Sequence, residues 1–179
     1  MRISKLMSFA LRHDPAALGL VLDPAGWVGM MELAAALAAR GEPASLDEIR
    51  EVVATSDKQR FALTPDGARI RANQGHSVEV DLGLPAVEPP EILFHGTVEK
   101  FLPSIDANGL VAGERTHVHL SADEETAKVV GARRGVPVVL HVRARAMFEE
   151  GFLFHRAENG VWLTKAVPPR FLMPRAPLR

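Results

Sequence analysis

Two histidines stand two residues apart in RTHVHLS, Arg115 to Ser121, within a chain that holds seven histidines in 179 residues. Side chains alternate faces along a strand, so His117 and His119 share one face of an extended run while Thr116, Val118 and Leu120 take the other. Imidazoles on one face can ligate a metal, move protons or hydrogen-bond a bound cofactor. With His95 of FHGT as a third nitrogen ligand, the set would suit a catalytic zinc, which keeps one position open. Histidines hydrogen-bonded inside a half-buried strand are the plainer alternative, and no spacing ties His95 to the pair. FHGT, Phe94 to Thr97, also stands alone as a ligand-approach element. Its glycine lets a ligand reach the backbone while the polar flanks bond it. An ordinary strand-to-helix turn accounts for the same residues.

The first half of the chain carries three further stretches of this kind. LRHDP places Arg12 and His13 at a helix end, where the macrodipole alone favours a cation by about 0.3–1 kcal/mol. SDKQRF, Ser56 to Phe61, puts Arg60 in a polar loop that enters an extended run. IRANQGHS, Ile70 to Ser77, gathers Asn73, Gln74 and His76 around Gly75. That composition makes either a compact hydrogen-bonding loop or a turn that satisfies its own backbone.

The elements that must position these residues fall on either side of GLPAVEPPE, Gly83 to Glu91, whose three prolines read as a linker. The expected organisation is a lobe over residues 1–84, a linker over 85–91 and a second lobe over 92–179. In the first, Ile3, Leu6, Met7, Ala10 and Leu11 follow helical spacing up to Asp14-Pro15. A second helix is expected over Met30 to Arg40, stopping at Gly41. A third opens on the capping-box pair Ser45 and Glu48 and runs to about Thr55. RFALT and ARIRA then flank the turn Pro65-Asp66-Gly67. Three helices followed by a hairpin outline a winged helix-turn-helix. After the linker, EILFHGT, THVHLS, VPVVLHV, GFLFH and VWLT read as strands. VEKFLPSIDAN and ADEETAKVVGARR read as short helices between them. The fold class is α+β.

Composition narrows the chemistry. There are no cysteines, which excludes disulfide frameworks, thiolate metal sites and cysteine nucleophiles, and fits a reducing compartment. The formal net charge is -1, so any polyanion must meet a local site, not a generally basic surface. The basic residues are mostly arginine, which suits phosphate recognition through the planar guanidinium. A biased coding composition, visible in the Ala, Gly and Pro content, would favour arginine equally. MRISKLMSFALRHDP reaches charged residues too early for a signal peptide, and no apolar run approaches the roughly 20 residues of a membrane span. The expectation is a cytoplasmic protein with no membrane partner. It should be a monomer, because no long apolar helix face is left over.

In combination these stretches resemble one family. SKLMSFALRHDP, LDPAGWV, DKQRFAL, IRANQGHSVEVDL, PPEILFHGT, RTHVHLSAD, GVPVVLHV and ENGVWLTKAVPP occur in the order seen in the NAD-dependent RNA 2′-phosphotransferases, the tRNA 2′-phosphotransferase family. The resemblance implies an N-terminal winged-helix lobe that meets RNA and a C-terminal lobe with an ADP-ribosyltransferase-like split β-sheet that binds NAD. It implies no metal. It assigns Arg12, His13, Arg60 and Arg115 to catalysis. It assigns His95, Gly96, Thr97, Asn108, Gly109, His117, His119, Ser121 and Arg133 to the cofactor, with the Gly96 backbone on the nicotinamide amide and His95 on a ribose. Val161 falls where protein-modifying relatives carry a glutamate. A carboxylate there would repel a dianionic phosphate nucleophile, which needs no general base.

The reaction implied has two steps. An RNA 2′-phosphate displaces nicotinamide from NAD to give an RNA-2′-phospho-ADP-ribose intermediate. The ribose 2″-hydroxyl then attacks phosphorus, releasing 2′-hydroxyl RNA and ADP-ribose 1″,2″-cyclic phosphate. NAD is consumed as a co-substrate. The RNA partner is tRNA-like, as in tRNA splicing, and should be gripped through phosphates and 2′ groups with little base reading. One departure stands out: the family reads Arg-His-Gly before its PVVL strand, and here Arg133-Arg134-Gly135 stands. That puts any role of a histidine at this place in doubt. His141 and His155 are expected to be satisfied strand histidines. Two other readings compete: a winged-helix nucleic-acid-binding protein with a nucleotide-sensing lobe, and a three-histidine zinc hydrolase.

Overall fold

The apolar spacing at the start of the chain forms α1 (Arg2–Arg12), with Met7, Ala10 and Leu11 fully buried. It ends before Asp14-Pro15, and the Asp14 carboxylate accepts from Ala17 N at 2.9 Å at the start of the 3-10 turn Ala16–Leu18. The computed structural model describes residues 2–56 and 58–175, so Met1, Asp57 of the SDKQRF loop and the last residues of the expected second lobe lie outside the described residues. Two compact units divide the chain, Met1–Gly83 and Leu84–Arg179.

In the first unit, β1 (Val28–Gly29) leads into α2 (Met30–Ala39), followed by α3 (Leu46–Ala54), β2 (Phe61–Leu63) and β3 (Arg69–Ala72). The capping box forms as its residue types predict: Ser45 Oγ accepts from Glu48 N at 3.2 Å, and Glu48 Oε2 accepts from Ser45 N at 2.8 Å. Ser45→Ala is expected to lower stability by about 1 kcal/mol, read from urea unfolding midpoints. β2 and β3 pair antiparallel with Phe61 opposite Ala72 and Leu63 opposite Ile70. The sheet order is β1-β3-β2. β1 is not visible in the sequence because two residues carry no alternation. It exists through its pairing with β3, Val28 opposite Ile70, and follows a turn in which Asp23 Oδ1 accepts from Ala25 N and Trp27 N, each at 2.9 Å. The core joins Met7 and Leu11 of α1 to Leu33 and Leu37 of α2, Ile49 of α3 and Ile70 of β3. Full burial of each such side chain contributes roughly 1.5–3 kcal/mol.

The second unit runs β4 (Ile92–Val98), the 3-10 turn Glu99–Phe101, α4 (Leu102–Asn108), β5 (Leu110–Val111), β6 (Val118–Leu120) and α5 (Glu124–Gly131). The 3-10 turn Ala132–Arg134, β7 (Pro137–Arg143), α6 (Ala144–Glu149), β8 (His155–Arg156), β9 (Trp162–Thr164) and β10 (Ala166–Val167) complete it. β4 pairs antiparallel with β7 along its whole length, β6 and β8 flank β9, and β5 pairs with β10. Phe94 and Ser121 exchange backbone hydrogen bonds at 2.9 and 2.7 Å, tying β4 to the end of β6. Mixed helix and strand is the α+β class that the residue pattern predicts.

Two details differ from the pattern. GFLFH contributes only His155 to a strand, and Phe154 is instead fully buried in the core while Phe152 packs edge-on against Phe171 at 5.5 Å. An apolar run can serve burial without joining a ladder. The expected linker, residues 85–91, is held against the second unit. Val87 N donates to Phe154 O at 2.8 Å, Ala86 bridges to His155, and Arg145 pairs with Glu88.

Candidate functional site

In the first unit the end of α1 and the entry to β2 meet. Arg12 closes α1, and its Nη2 donates to the carbonyl of Arg60 at 3.5 Å. His13 follows, its Nδ1 at 2.9 Å from Ser77 Oγ. The structure thus brings Arg12, with His13 next to it in the chain, to the backbone of Arg60. The loop Asn73–Val78 holds them. Asn73 N donates to Arg60 O at 2.9 Å, and Asn73 Nδ2 donates to Gln59 O at 2.6 Å and to Phe61 O at 3.4 Å. That grip fixes Gln59 at φ 40, a left-handed backbone rare for a residue with a side chain. At the other end of the loop, Ser77 N and Val78 N both donate to Arg12 O, at 2.8 and 3.3 Å. The loop therefore spends its hydrogen bonds on distant segments and not on its own backbone.

His76 is the buried member of this loop, 1% exposed, and its Nε2 is buried with no hydrogen-bond partner among the described residues. Burial, then the charges of Arg12, Arg71 and His13, pushes its pKa down to about 4 from an ordinary 6.5. A histidine held neutral in the folded state stabilises it above the unfolded value. That contribution fades as pH falls from about 6.5 toward 4, because the unfolded chain takes up the proton first. The loss should reach about 3 kcal/mol on a scale of 1.36 kcal/mol per pKa unit. Unfolding midpoints measured between pH 6.5 and 5, above most carboxylate titration, should fall steadily for the wild type and less for His76→Leu.

In the second unit β4 supplies His95, Gly96 and Thr97. His95 Nδ1 is 3.0 Å from the carbonyl of His119, and Arg115 Nη1 is 2.8 Å from His119 Nδ1, so His95, His119 and Arg115 form one chain of contacts. Burial lowers the His95 pKa, the His119 carbonyl opposes this, and the Arg134 and Arg115 charges lower it further. Arg115 is likewise lowered by burial, then by Arg134 and Arg133, and remains a cation at any working pH. Cations thus gather around His95 and Arg115. Gly96 faces α5 so closely that an added Cβ would lie 1.8 Å from Ala127 O. Ser121 serves through its backbone, in the pair with Phe94.

Other expected residues hydrogen-bond elsewhere. His117 Nδ1 turns to Thr116 Oγ1 at 3.0 Å, and its ring stands edge-on to His155 at 6.1 Å. Asn108 Nδ2 donates back to Ser104 O at 3.1 Å, and Gly109 (φ 76) ends α4 against the carbonyl of Val167. Arg133 and Arg134 form the 3-10 turn after α5, with the Arg134 guanidinium 5.8 Å from the Phe101 ring centre. Val161 lies in the turn before β9, its N donating to Asn159 Oδ1 at 3.4 Å. His141 pairs with Glu124 at 2.5 Å and His155 Nδ1 is 2.9 Å from Leu84 O, so both have partners in the fold. Among the described residues no three His, Asp or Glu side chains are grouped to hold a metal ion, so His95, His117 and His119 do not make the zinc-like set that HVH and FHGT permit. Nor, among the described residues, is any helix long and apolar enough to cross a membrane. Spacing did not single out Ser77 and Arg134 as partners of the expected residues. The signal for Ser77 was the polar loop itself.

Comparison with known proteins gives one answer. The family model described as "RNA 2'-phosphotransferase, Tpt1 / KptA family" matches residues 1–166. A protein of Agrobacterium fabrum named "Probable RNA 2'-phosphotransferase" is 56% identical over 169 residues, 94% of this chain and 91% of that one. Relatives of the same name from Burkholderia lata and Streptomyces coelicolor are 54% identical over 172 residues and 52% over 177, covering 96% and 99% of this chain and 89% and 96% of their own. With nearly its whole length matched in this way, the chain belongs to the RNA 2′-phosphotransferase family, a family of transferases.

Proposed function

We propose that the protein removes an internal 2′-phosphate from a tRNA-like RNA by transferring it to NAD, through an RNA-2′-phospho-ADP-ribose intermediate. The products are 2′-hydroxyl RNA, ADP-ribose 1″,2″-cyclic phosphate and nicotinamide. The first unit acts as a winged-helix lobe for RNA, and the second as an ADP-ribosyltransferase-like lobe for NAD, in a cytoplasmic monomer. The observation that carries this reading is the set Arg12, His13 and Arg60, drawn from two segments far apart in the chain and locked by one loop. Arginine and histidine side chains supply what a phosphoryl group needs, charge-assisted bonds to its oxygens and a proton donor for a leaving oxygen, and Arg12 reaches the backbone of the residue that carries the second guanidinium. Arg115, of the second unit, is assigned to catalysis by the family resemblance alone.

The second unit fits a dinucleotide. The charges of Arg134 and Arg115 act on His95, and those of Arg134 and Arg133 act on Arg115, a field that favours a pyrophosphate. His95, Gly96, Thr97, Asn108, Gly109, His117, His119, Ser121 and Arg133 are assigned to NAD. NAD supplies the electrophilic ribose carbon and the acceptor 2″-hydroxyl. The RNA phosphate is already ionised, so its attack requires orientation and no base, in keeping with Val161 where a carboxylate would repel it. In the second step His13 donates a proton to the departing RNA 2′-oxygen. Incubation with NAD and a 2′-phosphorylated oligonucleotide should release one nicotinamide per RNA consumed. Binding of both with no nicotinamide released would favour a nucleotide-sensing nucleic-acid-binding protein instead.

A further inference from the structure

We propose that Ser77 is a positioning residue for His13, fixing which ring nitrogen carries the exchangeable proton. The inference rests on the transferase reading above and adds to it a residue whose hydroxyl orients the proton donor. Ser77 Oγ lies 2.9 Å from His13 Nδ1 and 3.5 Å from the carbonyl of Arg12. As the proton donor of the second step His13 carries a proton on both nitrogens, so Nδ1–H donates to the Ser77 oxygen 2.9 Å away and Nε2 is the nitrogen that exchanges a proton.

The support for Ser77 is itself rigid. Its backbone N donates to Arg12 O at 2.8 Å, so the hydroxyl is anchored to the same helix end that carries His13, and the fully buried His76 pins the preceding residue of the loop. An exposed histidine has many rotamers and two neutral tautomers. Ser77 selects one of each. During the second step the 2″-oxygen forms a bond to phosphorus as the bond from phosphorus to the RNA 2′-oxygen breaks. The electron pair passes to the 2′-oxygen, the proton on His13 Nε2 neutralises it, and the 2″-hydroxyl proton leaves to solvent. His13 is then neutral with Nδ1–H still bonded to Ser77, ready to regain a proton at Nε2.

The test compares wild type, Ser77→Ala, Ser77→Thr and His13→Ala under single turnover with NAD and a 2′-phosphorylated oligonucleotide, following the RNA-phospho-ADP-ribose intermediate. Ser77→Ala should form the intermediate but clear it roughly 10- to 100-fold more slowly, part of the 10²–10⁴-fold that a general acid supplies. Ser77→Thr should restore clearance to within a few-fold. Clearance by Ser77→Ala at the wild-type rate, or Ser77→Thr as slow as Ser77→Ala, would overturn the proposal. Nitrogen-15 NMR of the His13 ring tests it apart from activity. The wild type should hold the Nδ1–H tautomer when neutral, and Ser77→Ala should gain the Nε2–H form that imidazole prefers in water. An unchanged tautomer would overturn the positioning claim even in an active enzyme. A wild type that releases no nicotinamide would defeat the transferase reading, and the ring measurement would still decide the role of Ser77.

Discussion

Gly96→Ala is expected to yield protein that is largely unfolded or unfolds at much lower urea. The Cβ would lie 1.8 Å from the carbonyl oxygen of Ala127, 2.7 Å from its carbon and 2.8 Å from Gly131 N, all backbone atoms of α5. A flexible side chain could swing aside, but a helix backbone cannot, so β4 and α5 would have to separate. Gly131 shows the same approach from the other side, where a Cβ would lie 2.8 Å from Thr97 O. Overpacking usually costs 1–3 kcal/mol, and a clash confined to backbone should reach or pass about 3 kcal/mol, a large share of a total stability of roughly 5–15 kcal/mol. An unchanged urea midpoint would contradict this close packing. Loss of activity in this variant would therefore not identify a contact between Gly96 and nicotinamide unless folded protein were measured in the same sample.

Arg60→Ala should lower turnover of a 2′-phosphorylated RNA by about 10²–10³-fold, the usual effect of deleting one donor to a charge that develops in the transition state. The fold should survive. It is the backbone of Arg60, and not its guanidinium, that receives Asn73 N and Arg12 Nη2. Arg60→Lys should fall between, because an ammonium keeps the charge and loses the two-pronged geometry. Turnover measured beside thermal melts separates the outcomes: activity within a few-fold of wild type in a folded Arg60→Ala protein would remove Arg60 from the catalytic group.

What could be read from the sequence was whatever depends on neighbours. The 3.6-residue spacing of Met7, Ala10 and Leu11 and the pair Ser45 and Glu48 act within one or two turns, and both elements stand where the types predict. β1 was hidden because Val28 and Gly29 are a strand only by courtesy of β3. α6 was hidden because ARAMFE, though built of good helix formers, is barely long enough to show a period. The site followed the same division. Arg12, His13, Arg60, His95 and Arg115 were singled out only once their stretches were taken together as a family resemblance. Their partners were not, since Asn73 reaches back to Gln59 and Ser77 to His13 across 14 and 64 residues. The reason for Gly96 was illegible for the same cause: its neighbour across the gap, Ala127, belongs to another element.

The central claim, transfer of an RNA 2′-phosphate to the ribose of NAD, is tested most directly by following the phosphorus atom. An oligonucleotide labelled at its 2′-phosphate would be incubated with the protein, with and without NAD, and the labelled products separated. The label should move, only when NAD is present, into ADP-ribose 1″,2″-cyclic phosphate, leaving an unlabelled 2′-hydroxyl RNA. Label released as inorganic phosphate without NAD, or label retained on the RNA throughout, would contradict the account.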